Sequence, residues 1–326
     1  MTVLTYREAL NQALREEMHR DETVYLMGED IGVFEGAYKV TQGLLAEFGE
    51  KRVRDAPIAE EGFVGAAIGS AMLGLRPVVE LMTINFSIVA MDQIVNNAAK
   101  IFYMFGGQQS VPMVIRTPGG GGQQLTAQHS QSLEIWYANV PGLKVVTPAF
   151  PADAKGMLKY AIRQNDPVMF IEHLALYNTR GEVPDNEYLT EFGKAQVVRR
   201  GSDLSLLSHG RMSLIALDAA AQLEALGVSV EVVDLRSLRP LDLETLVASV
   251  KKTSRAIYIE EGWGTYGVGA EIVAAVTEAA FDYLDAPISR IAGAEVPMPY
   301  SKPLERAAIP SAATIVDRAK RILQIA

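Results

Sequence analysis

Short apolar runs alternate with stretches of helical period along this chain, twice over, and no other feature narrows the choice of fold as far. Val24–Met27, Pro77–Leu81, Val111–Arg116, Leu143–Thr147 and Val168–Glu172 read as strands, with helices between them near Thr41–Phe48, from Ile88 to about Met104, and over Ala152–Arg163. Strands separated by helices pair in parallel through crossovers. A second set follows: Leu204–Leu207, a helix over Met212–Leu226, Val228–Val233, a helix over Leu243–Lys251, Ala256–Ile259, and a helix from Ala270 to about Tyr283. Between the sets, residues 178–192 are polar, contain Pro184 and show no period, which predicts a linker. The expected architecture is therefore α/β, with two parallel-sheet domains over residues 1–177 and 193–326.

Within the first set, Thr5 and Glu8 form a capping box for a helix running to about Arg20, and Val24–Met27 delivers Gly28-Glu29-Asp30 to the carboxyl end of a strand, where ligands of parallel sheets collect. From Gly62 to Leu75 the glycines Gly62, Gly65, Gly69 and Gly74 are set among apolar residues, a pattern expected of a buried helix whose backbone is closely approached. Glu60 and Glu61 begin that helix. Two acids there can simply complement the macrodipole. Burial of Glu60 among Ile58, Phe63 and Val64 would instead raise its pKa and suit it to acid–base work.

Further on, Gly119–Gly122 follow a strand and lead to His129, which sits among polar residues and suits proton handling near neutral pH. The glycines match neither a P-loop nor a dinucleotide fingerprint, so they read as a flexible active-site loop. The second glycine run, Gly262–Gly269, lies between a strand and a helix and reads as a structural loop.

Composition excludes several classes. A net charge of −9 without a basic stripe argues against nucleic acid as a partner, and the absence of cysteine excludes disulfides and thiolate chemistry. No apolar run is long enough to span a bilayer, and the N-terminus has neither signal nor transit character, so a cytoplasmic bacterial protein is expected.

The motifs IAEEGF at Ile58–Phe63, GLRP at Gly74–Pro77, MTINFS at Met82–Ser87 and DQIVNNAAK at Asp92–Lys100 occur in an order that resembles the β subunit of the thiamine-diphosphate-dependent decarboxylating component of 2-oxoacid dehydrogenase complexes. GED at Gly28–Asp30, GAYKVTQGL at Gly36–Leu44, AQHSQ at Ala127–Gln131, PGLKVVTP at Pro141–Pro148 and DAKG at Asp153–Gly156 continue the likeness over most of the chain. The pyruvate type is the nearest, with branched-chain 2-oxoacid and acetoin types as alternatives. A non-catalytic scaffold for the acyltransferase core is a reading of another class, against which the presence of both Glu60 and His129 argues.

The resemblance implies a transketolase-like pyrimidine-binding domain followed by a transketolase C-terminal domain. It implies that Glu60 meets a ring nitrogen of the cofactor's aminopyrimidine, that Phe86 stacks on that ring with Met82 beside it, and that His129 lies at the active site. A family potassium ion held by main-chain oxygens maps to Met113, Ala161, Ile162, Gln164 and Asp166, and an acidic relay maps to Glu29, Glu60 and Asp92. No G-D-G occurs in the sequence, so the magnesium and diphosphate ligands are expected on an α subunit in an α2β2 heterotetramer. Pyruvate and a lipoyl-carrying dihydrolipoyl acyltransferase complete the partners the likeness implies.

Overall fold

A computed structural model describes residues 1–325. It divides into two compact units, one formed by Met1–Gly119 with Trp136–Phe192, the other by Gly120–Ile135 with Gly193 onward.

The first unit opens with β1 (Thr2–Thr5) and α1 (Tyr6–Arg20). Thr5 caps α1 as its sequence demands: Oγ1 accepts the Glu8 N–H at 3.2 Å and the Glu8 carboxylate accepts the Thr5 N–H at 2.7 Å. There follow β2 (Val24–Gly28), α2 (Leu44–Phe48), β3 (Val53–Asp55), α3 (Glu60–Met72), β4 (Arg76–Glu80), α4 (Ile101–Met104), β5 (Val114–Gly119), α5 (Glu134–Ala138), β6 (Lys144–Val146), α6 (Pro151–Arg163), β7 (Val168–His173) and β8 (Arg180–Val183). The order β6-β7-β5-β4-β2-β3 is parallel throughout, with Val24 opposite Arg76 and Gly28 opposite Glu80. All these strands therefore end on one edge, the edge that carries Glu29 and Glu80. α1 and α6 pack together, joined by ion pairs of 2.6 Å from Lys155 and Lys159 to Glu16 and from Arg163 to Glu17.

The second unit contains β9 (Gln196–Arg199), β10 (Leu204–Ser208), α7 (Arg211–Glu224), β11 (Val230–Asp234), β12 (Ser237–Arg239), α8 (Leu243–Thr253), β13 (Ala256–Trp263), α9 (Val268–Ala280), β14 (Ser289–Gly293), α10 (Lys302–Ala308) and α11 (Ala312–Leu323). Its sheet runs β14-β13-β10-β11-β9, parallel except where β9 meets β11. Leu204, Leu206, Met212, Leu223, Val232 and Ile315 lie at the centre of its core.

Four expectations are corrected. The stretch 178–192 is not structureless: β8 pairs antiparallel with β1, and Val183 is buried. Its partner is some 180 residues distant, so no local pattern reveals it. The helix expected from Ile88 is broken into a 3₁₀ turn at Ile84–Ile88, a π segment at Gln93–Ala98 and the short α4, with the Ala99 N–H reaching back to the Ile94 carbonyl at 3.1 Å. α3 is buried on one face only: Phe63, Val64, Ala67 and Ile68 are inside, whereas Glu61, Gly62, Ala66 and Gly69 are exposed. Close approach holds at Gly65, where a Cβ would lie 3.2 Å from the Gln93 side chain, while at Gly69 nothing lies within 4 Å. Finally, residues 120–135 belong to the second unit, because their backbone amides donate to its carboxylates. Among the described residues no helix is long and apolar enough to cross a membrane.

Candidate active site

Two carboxyls meet at the ligand-bearing edge of the first sheet. β2 ends at Gly28, where a Cβ would lie 2.6 Å from the Glu80 carbonyl, so glycine is what allows β2 and β4 to close up there. The next residue, Glu29, is 8% exposed, and Glu60, the first residue of α3, is 4% exposed. Glu60 lies close enough for its charge to act on Glu29. Burial first, then the charges of Glu60 and Asp30, push the Glu29 carboxyl up to about 7. The sequence had enclosed Glu60 with Ile58, which is 84% exposed, so the enclosure comes from α3 and not from the residues before it.

Glu29 Oε1 is buried and has no hydrogen-bond partner. An enclosed carboxyl pair, with Glu29 pushed up to about 7, fits a basic ring nitrogen such as the aminopyrimidine of thiamine diphosphate offers. The loop beyond Glu29 is itself fixed: the Gly32 and Val33 amides donate to Asp55 at 2.6 and 3.0 Å, and the Thr41 hydroxyl donates to the Ile31 carbonyl at 2.7 Å.

Phe86 lies half-buried in the 3₁₀ turn after β4, and Met82 is half-buried just before that turn. The turn is held by the Ser87 hydroxyl, which donates to the Ile84 carbonyl and accepts from the buried Tyr137 hydroxyl. Sequence reasoning missed Tyr137, whose only sign was a tyrosine within an apolar helical turn. Asp92 is exposed and accepts from the Asn96 and Asn97 side-chain amides at 2.7 and 3.4 Å. Those contacts tie it to its own helical segment, not to Glu29 and Glu60.

A buried ion cluster under the same sheet edge was also missed. Arg116, within β5, donates twice to Glu172 of β7, both at 2.7 Å, and once to Glu80 of β4; the Tyr177 hydroxyl donates to Glu172 at 2.6 Å. All four residues are almost wholly buried. An arginine and a glutamate in strands of otherwise apolar character were the available signal.

The five positions matched to potassium have taken partners. The Arg76 guanidinium donates to the Ile162 and Gln164 carbonyls at 3.0 and 2.8 Å, the Ala161 carbonyl accepts the Gln164 N–H at 3.1 Å, and the Met113 carbonyl accepts the Val168 N–H at 3.0 Å. The Asp166 carboxylate pairs with Lys144 at 2.8 Å. A carbonyl oxygen has two lone pairs, so accepting one hydrogen bond leaves each of these carbonyls able to accept a second contact.

In the second unit, His129 is half-buried near the end of a loop closed by a 2.9 Å hydrogen bond from the Gly120 N–H to the Gln131 carbonyl. Its own N–H donates to Thr126 at 3.3 Å. Gln124 and Thr126 take left-handed backbone conformations, with φ of +57° and +64°, a conformation that concentrates at functional loops. Among the described residues no cluster of three or more His, Cys, Asp or Glu is arranged to hold a metal.

Comparison with known proteins agrees with this arrangement. Residues 2–179 match the transketolase pyrimidine-binding domain, and residues 193–315 the transketolase C-terminal domain. A pyruvate dehydrogenase E1 component subunit beta of Rhizobium meliloti is 52% identical over 99% of this chain and 70% of its own length. The corresponding subunit of Rickettsia bellii is 48% identical over 99% of both chains, and the mitochondrial one of Caenorhabditis elegans is 48% identical over 100% of this chain and 94% of its own. A solved split-gene transketolase, described as an inactive beta4 tetramer, superposes with a TM-score of 0.80 over 99% of both chains at 24% identity, a likeness of fold. The chain belongs to the family of pyruvate dehydrogenase E1 component β subunits, built from the pyrimidine-binding and C-terminal domains of the transketolase fold.

Proposed function

We propose that this chain forms the pyrimidine side of a thiamine diphosphate site and, in an α2β2 tetramer, decarboxylates pyruvate and reductively acetylates a lipoyl group of the acyltransferase component. The observation that carries the reading is the enclosed Glu29–Glu60 carboxyl pair at the sheet's carboxyl edge, in a chain of this family. When bound, thiamine diphosphate supplies an acidic ring carbon and an electron sink for the loss of carbon dioxide.

Glu60 meets the pyrimidine ring nitrogen, and Glu29, its carboxyl pushed up to about 7, stands beside it as a proton reserve. Phe86 provides an aromatic face for the pyrimidine and Met82 a polarizable apolar contact; the Ser87–Tyr137 hydrogen bond steadies the turn that carries Phe86. His129 handles the proton that accompanies acyl transfer to the lipoyl sulfur. Glu29 and Glu60 are the inner members of the acidic relay, and Asp92 joins it only through a change in its contacts with Asn96 and Asn97.

The diphosphate and its magnesium fall to the α subunit, since this sequence has no G-D-G to hold them. The exposed face of α3, made of Gly62, Ala66 and Gly69, with Ile88 and Val89 exposed beyond it, supports assembly: small residues admit a partner backbone closely and the apolar ones reward its coverage. We place the assembly in the bacterial cytoplasm, and assign a potassium ion to Met113, Ala161, Ile162, Gln164 and Asp166 as a structural ligand.

The test is co-expression with an α subunit, followed by assays with pyruvate, branched-chain 2-oxoacids and acetoin. Turnover highest on pyruvate supports the proposal. Turnover confined to one of the others replaces the substrate while keeping the site.

A further inference from the structure

The loop that carries His129 is held by two carboxylates of the second unit that no part of the reaction uses. Glu305, in α10, is 1% exposed and accepts two backbone N–H groups with one oxygen, those of Gly122 and Gln124, each at 2.9 Å. Glu261, in β13, accepts the Gly121 N–H at 2.5 Å. Arg211 lies against both sides of this contact, 3.4 Å from the Gly121 carbonyl and 3.5 Å from the Glu261 carboxylate. Three amides within four residues thus end on buried anions, and hydrogen bonds to charged acceptors are about twice as strong as neutral ones.

The space around these glycines is close, and backbone conformation favours glycine at Gly122. A Cβ on Gly121 would lie 2.9 Å from Met298 and 3.0 Å from Ile309, and one on Gly122 would lie 2.9 Å from Arg211, where φ is also +94°. The loop is therefore tight against the unit and not free, contrary to what four successive glycines suggest. Its rigid limb, 120–124, leads at once into the left-handed residues Gln124 and Thr126 and from there to the turn that sets His129. Backbone strain of that kind persists only where the surroundings over-determine it, and the carboxylates supply that surrounding.

From this geometry we infer that Glu305 and Glu261 are positioning residues: they clamp the 120–124 backbone and thereby set the place of His129 for acyl transfer. The inference rests on the role given to His129 above, but the clamp has a readout of its own. In the α-reconstituted enzyme, hydrogen exchange across residues 119–131 reports the clamp directly. Transfer to a lipoyl acceptor reports His129, and decarboxylation with an artificial oxidant reports the cofactor side.

Glu305→Ala is expected to raise exchange at Gly122 and Gln124 by about tenfold or more and to lower transfer, while decarboxylation is retained. Glu305→Gln keeps an acceptor oxygen and is expected to restore most of both. If Glu305→Ala does not assemble, Glu305→Asp takes its place: the shortened carboxylate is expected to raise exchange over the same residues. Unchanged exchange in the Ala or Asp variant overturns the clamp, as does an equal fall of decarboxylation and transfer in the Ala and Gln variants. Intact transfer in His129→Ala would instead remove the role of His129, with the exchange measurement still deciding the clamp.

Discussion

At Glu29 and Glu60 two carboxyls are enclosed side by side, and the consequences reach both catalysis and stability. Glu60→Gln keeps size and hydrogen bonding but cannot pass a proton, so proton exchange at the thiazolium carbon of the assembled enzyme is expected to slow by about 10²–10⁴-fold. Unchanged exchange would remove Glu60 from the mechanism. The raised carboxyls also set a pH dependence. Glu29, Glu260 and Glu134 are each pushed up to about 7, with burial the largest cause in all three. The folded chain then binds protons more tightly than the unfolded chain, so stability falls as pH rises from the ordinary carboxylate value of about 4.5 through 7 and levels off beyond. Glu29→Gln is expected to flatten part of that slope, measured as denaturation midpoint against pH; an unchanged slope would contradict the assignment. Glu60 was legible in the sequence through the motif around it. The raised carboxyl of Glu29 was not, because it depends on the enclosure of Glu29 by residues distant in the chain.

Among the elements, β4, β5 and β7 are tied by the Arg116, Glu80 and Glu172 cluster. Deleting one partner of a buried ion pair leaves the others uncompensated, a loss of about 3–5 kcal/mol. Arg116→Met is therefore expected to lower the denaturant midpoint by that scale, and a change under about 1 kcal/mol would show that water or a partner group compensates the freed glutamates. Strands of this sheet were legible because they are short apolar runs separated by helices, and α1 because Thr5 and Glu8 mark its start. The π segment at Gln93–Ala98 was not, since its apolar spacing differs little from that of an α-helix and its hydrogen bonds shift by one residue only. β14, α10 and α11 went unread even though α11 carries a Ser311 cap and an apolar stripe through Ile315 and Ala319; no strand–helix alternation led up to them.

In the function proposed above, the whole molecule supplies one half of a cofactor site. Its alternation of strands and helices announced two α/β units, yet the assignment of residues 120–135 to the second unit depends on Glu261 and Glu305, which lie about 140 and 180 residues further on. Potassium is expected to raise the Tm relative to tetramethylammonium at equal ionic strength, and equal values would remove that ion from the account. The central claim is that Glu60 and its surroundings form a pyrimidine half-site that becomes competent only when an α subunit supplies the diphosphate half. The direct measurement is a calorimetric titration of the purified chain with thiamine diphosphate and magnesium, with and without the α subunit, alongside pyruvate decarboxylation. Tight binding and turnover only in the presence of the α subunit are the predicted result; micromolar binding and turnover by this chain alone would contradict it.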